Sequence, residues 1–88
     1  MFAYILRAPG TPRTEETDEF FRRFVDTPGL VHAFDLQGVD DPEDVVVLAV
    51  WEDRDAAQRY LTAHPLRQEV DEKLPTITRT MYDVIGSK

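Results

Sequence analysis

The run Val45-Val46-Val47-Leu48-Ala49-Val50-Trp51 carries no polar residue on either side of its alternation. In an extended chain Val45, Val47, Ala49 and Trp51 point one way, and Val46, Leu48 and Val50 the other. A strand that is apolar on both faces has to be covered on both. Phe2–Ala8 repeats the pattern, with Phe2, Tyr4 and Leu6 opposed to Ala3 and Ile5. Both runs are far shorter than the roughly 20 apolar residues that cross a bilayer. Whatever covers them is protein.

The remaining segments supply cover for one face. From Thr14 to Asp26 the apolar residues Phe20, Phe21, Phe24 and Val25 form one helical stripe, started at Thr11-Pro12 or at Thr14 and stopped by Pro28. Leu30–Gln37 alternates, with Leu30, His32, Phe34 and Leu36 on one side, and the turn Gly38–Pro42 joins it to Asp44–Trp51 as a hairpin. Asp53 or Asp55 caps a second helix whose stripe is Ala56, Ala57, Tyr60 and Leu61. After His64-Pro65, Leu66, Val70 and Leu74 recur at helical spacing, and Thr76–Ile85 reads as a closing strand. The order is β-α-β-β-α-β, an α+β ferredoxin-like arrangement: a four-stranded antiparallel sheet with its helices on one face. Residues 1–88 make a single domain.

Helices on one face leave the other apolar sheet face bare, a patch larger than monomers usually expose. A second copy packing sheet against sheet covers it, so the expectation is a homodimer in which two sheets close a dimeric α/β barrel. The 17 acidic residues against 10 basic give a net charge of −7, which repels phosphate backbones and excludes nucleic acid as a partner. With no cysteine there is no disulfide, thiolate nucleophile or cysteine–metal site. The two histidines lack the spacing of a metal pair. Met1–Leu6 has neither a positive leader nor a cleavage site, so the expected location is the cytoplasm, away from membranes.

Pro28-Gly29-Leu30 entering a strand, Val47-Leu48-Ala49-Val50-Trp51-Glu52 running into Asp53-Arg54-Asp55-Ala56-Ala57, then Tyr60-Leu61 and Ala63-His64-Pro65, together resemble the antibiotic biosynthesis monooxygenase (ABM)-like domains of the dimeric α/β-barrel superfamily. The resemblance covers nearly the whole chain. It implies a ligand site between the helices and the sheet of each subunit. Some relatives oxidise quinol-like polyketide aromatics with dioxygen and no cofactor, using a tryptophan at the end of the third strand, an asparagine before it, and an arginine or tyrosine on the substrate oxygen. Trp51 matches that tryptophan, while Val47 stands in the asparagine's place. Other relatives degrade haem. Their tryptophan and histidine positions look like Tyr60 and Val70 here, and residues 1–8 hold no asparagine, which disfavours haem chemistry.

The polar and aromatic candidates each carry two readings. Trp51, Tyr60 and Phe24 wall an aromatic ligand or simply pack helix on sheet. His32, alone on an apolar side, and His64, before Pro65, are proton acceptors or else a satisfied histidine and a helix cap. Arg79, between Ile77 and Met81, anchors a ligand oxygen or pairs with Asp35 or Asp83. The enzyme reading is a cofactor-free monooxygenase with catalytic His64, His32 and Arg79, no metal and no cofactor. The alternative is a non-catalytic homodimer that binds a small ligand. Convergence of His32, His64, Tyr60 and Arg79 on one cavity separates them.

Overall fold

A computed structural model describes residues 1–88. The elements run β1 (Phe2–Ala8), α1 (Glu15–Phe24), β2 (Leu30–Gln37), β3 (Val45–Trp51), α2 (Arg54–Ala63), α3 (Pro65–Lys73) and β4 (Thr78–Asp83). The strands form one antiparallel sheet in the order β2-β3-β1-β4, which is the ferredoxin-like α+β arrangement.

The helix boundaries follow from local chemistry. Thr14 starts α1 through a capping box: its hydroxyl accepts the Thr17 amide at 3.3 Å, and the Thr17 hydroxyl accepts the Thr14 amide at 2.9 Å. Glu15, Glu16 and Asp18 in the first turn and Arg22 and Arg23 in the last suit the helix dipole. The helix ends at Phe24, so Val25, expected within the stripe, is an exposed cap. Asp53 caps α2, accepting the Ala56 amide at 2.8 Å. The helix-breaking pair His64-Pro65 then separates α2 from α3, with Pro65 in the first turn, where a missing N–H costs nothing. The last strand is shorter at both ends than its threonine-rich pattern suggests.

The core lies between the helices and one sheet face. Trp51, fully buried, is its centre: its ring lies 5.9 Å from Tyr4, 5.9 Å from Phe24 and 5.5 Å from Tyr60. Phe24 and Tyr60 meet edge to face at 5.2 Å, a geometry that aromatic quadrupoles favour. Ala56 and Ala57 are buried beside them, which lets α2 approach closely. Gly29, at φ +84°, lies against Ala56 at that contact.

One expectation is overturned. The register between β2 and β3 slips between Leu30 and His32, leaving Val31 bulged. Leu30 therefore joins the core, whereas His32, Phe34 and Leu36 share the opposite face and are exposed, Phe34 at 52%. That face also carries Ile5, Val46, Leu48, Val50 and the exposed Tyr82, an apolar surface that no element of the chain covers.

Candidate functional site

Between α1, α3 and the sheet lies a cavity of about 70 Å³. Tyr4, Leu6 and Val47 form its sheet wall, and Phe20, Phe21 and Phe24 its α1 wall. Val70, Leu74 and Tyr60 close it from α3 and α2. At about 10–15 Å³ per water on this scale, the space equals roughly five waters, about one aromatic ring. Phe20 and Phe21 are only half-buried, so this wall has room to yield to a larger ring.

The polar edge of the cavity comes from residues distant in sequence. Arg13, in the loop before α1, donates from Nη1 to Asp35 Oδ2 at 2.9 Å and from Nη2 to the Leu36 carbonyl at 2.8 Å. Asp35 faces the cavity because it lies directly across from Val47 on the core side of the sheet. Its hydrogen bond raises the Arg13 pKa above the ordinary value. Thr11 and Thr17 complete this edge. No histidine lines the cavity, and Asp35 is its one carboxylate.

Beneath the cavity is a second polar group. Arg79 on β4 is only 10% exposed and contacts Asp71 of α3 at 2.9 Å. Its guanidinium lies 5.9 Å over the Tyr4 ring, and its Nε and Nη2 are buried without hydrogen-bond partners. Burial raises the pKa of both Tyr4 and Tyr60, Tyr60 to about 12, although nearby Arg79 opposes the shift. The two phenols stay protonated around neutral pH, so each keeps an O–H able to donate to a ligand. The Trp51 indole N–H is likewise buried without a partner.

The fold has close counterparts among solved structures. SnoaB, a cofactor-independent oxygenase from Streptomyces nogalater, matches at 27% identity with a TM-score of 0.70, over 98% of this chain and 92% of that one. A single-site variant of SnoaB gives 25% identity and a TM-score of 0.78, over 98% and 94%. A structure described as an antibiotic biosynthesis monooxygenase matches at 14% identity with a TM-score of 0.81, over 98% of this chain and all of that one. No protein-family model and no curated protein sequence matches the chain, so the likeness rests on these structures. The chain has an ABM-like fold.

This fold arranges the expected site residues unevenly. Phe24 and Tyr60 line the cavity, and Trp51 backs both. Arg79 pairs with Asp71 of α3, not with Asp35 or Asp83, and Asp83 instead meets Arg54. His64 caps α3, its Nδ1 accepting the Leu66 amide at 3.1 Å, and stacks on Tyr60 at 5.3 Å. It lies in a separate groove with Thr27, Arg59 and Ala63, outside the cavity lining. His32 lies on the far side of the sheet from the cavity, exposed in the single chain and 6.5 Å from Phe34. The four residues do not converge. Arg13 and Asp35, which do meet at the cavity, were missed as a site. The available signal was Asp35, a lone charge within the alternating run Leu30–Gln37.

Proposed function

We propose that this domain holds a quinol-like or polyketide aromatic in the cavity between helices and sheet and oxidises it with dioxygen, without a cofactor. The observation that carries this reading is an aromatic-walled cavity with two buried, protonated phenols and the Arg79 guanidinium grouped beside it. The likeness to SnoaB supports it. The ligand supplies the electrons: its phenolate passes one to dioxygen, an activated ring CH2 becomes C=O, and the second oxygen atom leaves as water. The protein excludes water and stabilises the oxyanion through Tyr4 and Tyr60, each polarised by Arg79. Two copies pack through the uncovered sheet face, completing a dimeric α/β barrel.

A second reading, a non-catalytic homodimer that binds a small ligand, is favoured by the dispersal of the histidines. Oxygen uptake over a panel of hydroquinones and anthrones decides between them. Turnover that falls at least about tenfold in Arg79→Met and Tyr60→Phe supports the enzyme. No uptake with any of the panel, in a protein that binds them, establishes the binder. His64→Ala separates cap from base: a cap variant loses stability and keeps its rate per folded molecule.

A further inference from the structure

The geometry points to Asp35 as the residue that selects ligands bearing a hydroxyl donor, by accepting that hydroxyl at the edge of the cavity. The inference rests on the reading that an aromatic occupies this cavity, and it names a feature which that occupant must carry.

Three observations converge on Asp35. It is the one carboxylate among the cavity-lining residues, the rest being apolar, aromatic, hydroxyl-bearing or Arg13. Its two oxygens are unequal. Oδ2 is engaged by Arg13 at 2.9 Å, whereas Oδ1 accepts no hydrogen bond from any protein group. The carboxylate is also held in place, because Arg13 grips Asp35 and the neighbouring Leu36 carbonyl with one planar fork. A fixed anionic acceptor facing an apolar space rewards a donor and penalises a ligand that presents only an ether or carbonyl oxygen. The other polar groups around the cavity do not duplicate this preference. Tyr4 and Tyr60 are neutral phenols, weaker acceptors than a carboxylate, and the Thr17 hydroxyl donates to the Thr14 carbonyl at 2.9 Å. Arg13 Nε lies at the same edge, buried without a partner, so this edge offers the Asp35 acceptor and a guanidinium donor side by side. A hydroxyl, which both donates and accepts, suits the two together, whereas an ether or carbonyl oxygen suits only the donor.

The test uses 1-naphthol and 1-methoxynaphthalene, which share a ring system and differ in whether the oxygen donates. Binding is followed by two-dimensional ¹H–¹⁵N NMR at the single indole N–H, that of Trp51, which lies against Phe24 and Tyr60. The expected result is that 1-naphthol binds roughly 10- to 100-fold more tightly than its ether, as a hydrogen bond to a charged acceptor implies. Asp35→Leu should bring the ratio close to one, and Asp35→Asn should keep a smaller preference through its neutral carbonyl. Equal affinities in the unmodified protein, or an unchanged ratio in Asp35→Leu, overturn the assignment while leaving the aromatic cavity intact. If Asp35→Leu does not fold, an undiminished ratio in Asp35→Asn overturns it equally. Binding of neither compound removes the aromatic occupant, and both readings with it.

Discussion

Arg79 and Asp71 meet at 2.9 Å under α3, joining the last strand to the helix that precedes it. Asp71 also takes a contact of 3.0 Å from Arg67, so one carboxylate faces two guanidiniums. Arg79 is nine-tenths buried, and its charge has no other carboxylate in contact. Asp71→Asn should therefore cost about 3 kcal/mol in urea unfolding, as for a buried pair broken on one side. Arg79→Met removes the charge and keeps much of the stem, and should cost clearly less. Equal costs for the two would show that the pair is not electrostatically coupled.

Gly29 and Ala56 set the spacing between α2 and the sheet. A Cβ on Gly29 would lie 2.5 Å from the Ala56 Cβ, and the backbone φ of +84° already disfavours any side chain. Gly29→Ala should destabilise the fold by about 2–3 kcal/mol, combining backbone strain and overpacking. Adding Ala56→Gly should restore only the steric part. A thermal melt of the single and double variants reads both contributions.

Alkaline pH should unfold the protein through its core phenols. Burial raises the Tyr60 pKa from 10.0 to about 12, and Tyr4 shifts in the same direction. The unfolded chain thus loses these protons first as pH rises. Their contribution is fully present below about pH 10 and is lost as pH climbs toward 12. Urea midpoints at about pH 8 and about pH 11 should differ markedly, and Tyr60→Phe should narrow the difference. An identical drop in Tyr60→Phe would assign the effect elsewhere.

The uncovered sheet face should behave as an interface. Phe34, Leu36 and Tyr82 are exposed there, with Leu48 and Val50 half-buried between them. Covering such surface contributes roughly 25 cal/mol per Å². Sedimentation at micromolar concentration should give twice the chain mass, and Leu48→Asp should give the single-chain mass. A folded unmodified protein at the single-chain mass would remove the barrel.

The residues themselves specified the element order, the two doubly apolar strands and the helix starts, because alternation, helical spacing and caps such as Thr14 and Asp53 act within a few neighbours. The side of the sheet taken by His32 was not local: it depends on the bulge at Val31, which exists only in pairing with β3. Asp71 as the partner of Arg79, and Arg13 as the partner of Asp35, likewise depend on which elements stack. Arg13, in the loop before α1, and Asp35, on β2, lie 22 residues apart. Short-range patterns carry no record of such meetings. Packing brings the partners together, and it is packing that decided which polar groups face the cavity.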